Sequence, residues 1–261
     1  MQNLRFVHIP KTAGTTFTQI LNRQYGHNNR FQFTGDIKVD KNNFCQLTST
    51  QKNNISLFIG HAPIYTGIDF IDGIETVTLL RDPIERVKSF CQHAAEGKSE
   101  YINDLLAGTQ FNLDNFLNRG ILELNNLQTK MLVNTGKCAI NFDLSQEQAL
   151  TTAIKNLTAK ITAFGLVEYF DESLMLFKKT FNWQTPHFNY FNLPSYQSVN
   201  IKDKTKLLQF EPHHIAKIKE LNKLDIELYN QAKEIFFKRL ERYKFPLFLF
   251  RVKDKLRGFV R

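Results

Sequence analysis

Apolar residues in the first third of the chain come in short blocks, each ending at a polar or charged stop. Leu4 to Ile9 reads as a buried strand, and Thr15 to Gln24 after it places Phe17, Ile20 and Leu21 at helical spacing, with Pro10 to Gly14 as the loop between. Ser56 to Ile59 stops at Gly60-His61-Ala62-Pro63, and Thr76 to Leu80 stops at Arg81-Asp82-Pro83. Asp82 then has the marks of an N-cap, with Pro83 at the first helical position and Glu85 three residues after the cap. On the helix it opens, Ile84, Val87, Cys91 and Ala94 form the apolar face and Arg86, Ser89 and His93 share another.

The rest of the chain reads as mostly helical. Helices are predicted over Asp114 to Asn118, Asn125 to Leu132, Ser145 to Leu157 with a Ser145/Gln148 capping pair, and about Asp171 to Phe181. A further strand is predicted over Ile161 to Val167. Pro186 to Asn200 has no period and reads as a loop, and Pro212 to Tyr243 carries a long helical pattern with a break near Asn222. Strands alternating with helices predict an α/β fold, a mainly parallel sheet flanked by helices on both faces with a helix-rich C-terminal half. Without repeats or a low-complexity linker, 261 residues fit one domain, 1–243, followed by a basic, Phe-rich tail, 244–261.

A formal charge of +9 favours an anionic partner without saying which. Cys45, Cys91 and Cys138 are odd in number and lack CxxC spacing, which points to buried free thiols rather than a disulfide framework or zinc site. No N-terminal apolar segment precedes the first strand, so a cytoplasmic location is expected. The tail, with Phe245, Leu247, Phe248 and Phe250 among Arg251, Lys253, Lys255 and Arg257, is expected to dock on the domain, with peripheral contact to the inner face of an anionic membrane as the alternative.

In an open parallel sheet, ligands bind beyond the carboxyl ends of the strands, where Lys11, His61 and Arg81 all fall. Gly14 ends a tight loop that feeds a helix, whose N-terminus would face an anion. Lys11 adds a mobile charge, and Thr12, Thr15 and Thr16 add hydroxyls. The lysine precedes the glycine and GxxxxGK[ST] is absent, so a nucleotide other than magnesium ATP is expected. Arg81 and Ser89 could grip a second phosphate.

PKTAGTT in the first loop, followed some seventy residues later by RDPxxRxxS (Arg81 to Ser89), resembles the two phosphosulfate-binding signatures of sulfotransferases that use 3′-phosphoadenosine 5′-phosphosulfate, PAPS. The glycan-modifying branch, heparan sulfate 2-O-sulfotransferase-like, is the nearest resemblance. It extends through Gly60, His61 and Tyr65, through Asn126 to Thr129, and through Phe164 to Glu168, covering most of the chain up to about Phe237. The resemblance implies a P-loop-like α/β fold and no metal. It implies Lys11, Thr12, Ala13, Gly14, Thr15 and Thr16 as the cradle of the 5′-phosphosulfate, Arg81 and Ser89 as holders of the 3′-phosphate, and His61 as general base toward a carbohydrate or glycolipid hydroxyl. Imidazole titrates near pH 6.5, so its neutral form can accept that proton. Lys11 would stabilise the leaving group.

Glu168 and Glu96 are reserve candidates for the base; for Glu168 an ion pair with Lys130 is the structural alternative. His8 is expected to be packed in the core and His93 to lie on the surface. Asn126 and Gln128 are expected either to orient other groups or contact the acceptor, or to be plain helix-surface amides. Two rivals stand beside the sulfotransferase reading: a small-molecule kinase on the same architecture, and a non-enzymatic anion-binding module. Nucleic acid is not expected as a partner, since basic and aromatic residues are not interleaved as in single-strand binders.

Overall fold

The computed structural model describes residues 2–97, 100–106, 108–133, 144–183 and 207–243. The expected loop 186–200, Cys138 and the tail 244–261 lie outside the described residues.

Five parallel strands form one sheet: β1 (Leu4–Val7), β2 (Arg30–Phe33), β3 (Leu57–Gly60), β4 (Glu75–Leu80) and β5 (Ala163–Leu166), in the order β2-β3-β1-β4-β5. The α/β expectation holds, including the parallel sheet and the helix-rich second half. Register runs Val7↔Gly60 between β1 and β3 and Leu80↔Leu166 between β4 and β5, so the strands end nearly level. Every residue of β1 is buried, as expected of a central strand covered on both faces.

The helices divide between the two faces by the two-residue period of the strands. Leu4 and Phe6 pack with Phe17, Ile20 and Leu21 of α1 (Gly14–Tyr25). Val7, Leu80 and Leu166 point the other way, into a larger cluster with Leu127 and Met131, Ala149 and Ala153, and Leu228, Ala232 and Phe236. A smaller apolar group joins Val87, Phe90 and Cys91 to Phe116 and Ile218. Among the described residues, the other α-helices are α2 (Ile37–Gln46), α3 (Ser49–Asn53), α4 (Asp69–Asp72), α5 (Pro83–Ala95), α6 (Glu100–Leu106), α7 (Leu113–Leu117), α8 (Leu127–Val133), α9 (Gln146–Ala159), α10 (Phe170–Thr180), α11 (Pro212–Leu221) and α12 (Lys223–Arg242). Leu174 and Phe177 of α10 lie on the α1 face. No helix among the described residues is long and apolar enough to cross a membrane.

The predicted caps are present. The Asp82 carboxylate accepts from the amides of Ile84 and Glu85, and Ser145 and Gln148 form the reciprocal box that opens α9. The break at Asn222 is also real: its side-chain amide donates to the carbonyls of Leu124 and Ile218, which ends α11 and lets the chain turn into α12. The thiol expectation divides, since Cys91 is buried and Cys45 is exposed.

Candidate active site

The first loop departs from regular backbone at two places. Lys11 and Ala13 hold φ of 69° and 59° on either side of Thr12, an alternation that turns successive amides toward a common concavity, as anion-binding nests do. Ala13 is the N-cap of α1 but has no side chain that can cap it, and the first turn carries no acidic residue. The positive end of a twelve-residue helix therefore opens into the loop with no carboxylate from its own first turn. Thr12 differs from expectation. It is fully buried and its hydroxyl donates to the Ile9 carbonyl at 2.8 Å, so its side chain braces the loop and only its backbone can serve an anion.

His61 follows Gly60 at the end of β3. Gly60 has φ 138°, and a Cβ there would lie 2.5 Å from the Phe33 carbonyl oxygen, so only glycine lets β3 approach β2 this closely. The imidazole of His61 is exposed, and its Nδ1 lies 2.8 Å from the carbonyl oxygen of His8. A carbonyl only accepts, so Nδ1 carries the proton and Nε2 of the neutral ring keeps its lone pair. The two rings lie 4.3 Å apart.

His8 is therefore not the sealed core residue expected. It is half-buried at the mouth of β1, between Phe6, His61 and Gly14. Burial, and then the nearby charges of His61 and Lys11, push its pKa down to about 3, so it stays neutral at working pH. A residue inside an apolar run gives no sequence signal for this position.

The segment after His61 is pinned from below. Arg5, fully buried in β1, donates to the carbonyls of Pro63 and Ile64 and pairs with Asp72 at 3.1 Å. Asp72 also accepts from Thr66 and Gly67. Burial lowers the Arg5 pKa to about 10, with Asp72 acting against it, so the guanidinium remains charged at neutral pH. Arg5→Met is expected to cost about 3 kcal/mol, because it leaves Asp72 and two carbonyls without their cation. Urea unfolding checks this; an unchanged midpoint would remove Arg5 from the support of this loop.

Arg81 joins the two signature segments directly: its Nη1 donates to the Lys11 carbonyl at 3.1 Å. The Asp82 carboxylate occupies the first amides of α5, so that helix end is not a second anion site, and the side chains of Arg81 and half-buried Ser89 are what α5 and its approach can offer.

Both reserve carboxylates are otherwise placed. Glu168 accepts from the Asp82 amide at 3.0 Å and from the Tyr229 hydroxyl at 2.7 Å, so it is held as a brace; Lys130, its expected partner, reaches Asn125 instead. Glu96 caps the far end of α5, about 20 Å from the strand ends at 1.5 Å per residue, and accepts from Gln92.

Among the described residues, Asp114, His213 and His214 bring ligand-type atoms within 4.8 Å of one another. The amide of Glu211 donates to Nδ1 of His214, so Nε2 of that neutral ring holds the proton and donates it to Asp114. A protonated nitrogen cannot ligate a metal. The cluster ties α11 to α7.

Comparison with known proteins is consistent with this architecture. The model of the family described as "Sulfotransferase family" matches residues 1–232. Heparan-sulfate 6-O-sulfotransferase 2 of Gallus gallus is 27% identical over 191 residues, covering 63% of this chain and 45% of that protein. Heparan-sulfate 6-O-sulfotransferase 1 of Homo sapiens is 28% identical over 190 residues, covering 63% and 44%. Heparan-sulfate 6-O-sulfotransferase 1-B of Danio rerio is 24% identical over an alignment of 290 residues, covering 93% and 67%. The chain thus spans less than half the length of the first two. These relatives are named for 6-O sulfation, whereas the signatures alone resemble a 2-O branch. With the match running from the first strand into α12, the chain belongs to the sulfotransferase family.

Proposed function

We propose that this protein transfers a sulfuryl group from PAPS to a hydroxyl of a glycosaminoglycan-type carbohydrate. The observation that carries the reading is the joining of three strand ends: Arg81 bonded to the carbonyl of Lys11, and His61 bonded to the carbonyl of His8. The names of the relatives support a 6-O over a 2-O position.

The residues present fit such a donor. The nest at Lys11 and Ala13, the N-terminus of α1 and the Lys11 ammonium suit the 5′-phosphosulfate, with Thr15 and Thr16 on the first turn; Arg81 and Ser89 suit the 3′-phosphate. The donor supplies a sulfur whose bond to the bridging phosphate oxygen breaks as the acceptor oxygen bonds to it, leaving the electron pair on that phosphate. His61 Nε2 takes the acceptor's proton. Lys11 and the helix end oppose the charge that grows on the leaving phosphate, an effect larger in the transition state than in the ground state.

The test has two arms. In calorimetry, 3′,5′-adenosine bisphosphate is expected to bind roughly 100-fold tighter than AMP, the worth of two charge-assisted hydrogen bonds. Heparan sulfate stripped of 6-O sulfate, incubated with protein and PAPS, is expected to gain sulfuryl mass, while chains lacking only 2-O sulfate are not. Equal binding of AMP and bisphosphate, or tighter binding of magnesium ATP, would overturn the donor assignment in favour of a kinase; gain at the 2-O position would overturn the acceptor.

A further inference from the structure

Arg81 lies just past the sheet. The last paired residues of β4 and β5 are Leu80 and Leu166, so the amide and carbonyl of Arg81 have no strand neighbour on that side. Gln128, only 1% exposed, fills the gap: the Arg81 amide donates to Gln128 Oε1 at 3.0 Å, and Gln128 Nε2 donates to the Arg81 carbonyl at 2.9 Å. One side-chain amide thus does what the next residue of a strand would do. Only asparagine and glutamine carry a donor and an acceptor side by side in this way.

Gln128 is itself fixed by an exchange of caps between two helices. Asp225 of α12, fully buried, accepts from the amides of Gln128 and Thr129 and from the Thr129 hydroxyl, at 3.0, 2.7 and 2.7 Å. In return, Asn126, at φ 47°, accepts from the amides of Leu224 and Asp225 at 2.9 and 3.1 Å. A second arm from the same helix reaches the neighbouring residue, since Tyr229 holds Glu168 and Glu168 holds the Asp82 amide. Burial, and then the Glu168 carboxylate, push the Tyr229 phenol up, which keeps it a donor.

We infer that Gln128 is a positioning residue for the 3′-phosphate contact: it clamps the backbone of Arg81 so that the guanidinium is aimed across the first loop, and α12 sets that aim through Asp225. The inference rests on the assignment of Arg81 to the 3′-phosphate made above. A residue that only holds the fold would affect every nucleotide alike. A residue that aims Arg81 affects only those carrying a 3′-phosphate.

The experiment compares the affinities of 3′,5′-adenosine bisphosphate and AMP in the wild type, Gln128→Leu, Arg81→Ala and the double variant. Gln128→Leu is expected to lower bisphosphate affinity about tenfold, two neutral hydrogen bonds at the usual net worth, and AMP affinity less than about twofold. In the Arg81→Ala background the same substitution is expected to change the ratio of the two affinities no further. If Gln128→Leu does not fold, Gln128→Glu carries the measurement, since it keeps the size and one acceptor but sets a carboxylate oxygen against the Arg81 carbonyl. A wild-type preference for bisphosphate that the Gln128 substitution leaves undiminished overturns the positioning role alone, as does a parallel loss of both ligands. A wild type without that preference overturns the nucleotide assignment and this inference with it.

Discussion

His61→Ala is expected to lower turnover by roughly 100- to 10,000-fold, the usual contribution of a general base, while bisphosphate affinity stays within about twofold. The asymmetry comes from where His61 is held. Its Nδ1–H is spent on the His8 carbonyl, and its ring is exposed beyond β3, so the unprotonated Nε2 is its one free function. None of its bonds reaches the first loop's amides or Arg81. Lys11→Met is expected to behave differently. Its ammonium is close enough to depress the neighbouring His8, so its charge acts within the first loop, and losing it should weaken bisphosphate binding and turnover together. Initial rates and calorimetric affinities measured on the same preparations should part in one variant and move together in the other. Near-normal turnover of His61→Ala would place the base elsewhere; Glu168, tied to Asp82 and Tyr229, is not then available without breaking that brace.

The strand ends that build the site were readable because buried parallel strands leave largely apolar runs, and three of these runs end at the residues that matter: Lys11 after one, His61 after the next, Arg81 after the third. The Asp82-Pro83 cap was readable because its chemistry is local. β2 was not, since it is a four-residue edge strand with only Phe31 and Phe33 facing inward. Nor was α2, whose buried residues are Ile37, Asp40 and Phe44; a carboxylate on the inner face hides the period, and Asp40 is there because the amide and hydroxyl of Thr34 donate to it. The same limit governs the site. Glu168 at a strand end looks the same in sequence whether it is a base or a brace, and what decides is Tyr229, 61 residues away. Gln128 lies 47 residues from the backbone it clamps. Spacing along the chain reports caps and faces; it does not report which distant segment closes on them.

Gly14→Ala is expected to be among the most damaging single-methyl changes in this chain, and for reasons of space rather than backbone freedom. Gly14 has no positive φ, so alanine suits its conformation and, as the first residue of α1, its helix propensity. The obstacle is His8. A Cβ on Gly14 would lie 1.7 Å from Nε2 and 2.0 Å from Cδ2 of that ring, and the ring is backed by Phe6 on one side and His61 on the other. Either the ring leaves and disturbs the carbonyl and ring that hold His61, or the start of α1 moves away and carries the anion nest with it. Overpacking of this kind costs about 1–3 kcal/mol, and a displacement of about 1 Å at a reacting group can cost 100-fold in rate. The single variant should therefore lose a few kcal/mol of stability in urea and most of its bisphosphate affinity. Adding His8→Ala removes the atoms in conflict, so the double variant should recover bisphosphate affinity while activity stays low, because His61 has lost the ring beside it. If the double variant binds no better than Gly14→Ala alone, the glycine is required by the bound nucleotide itself and not by His8.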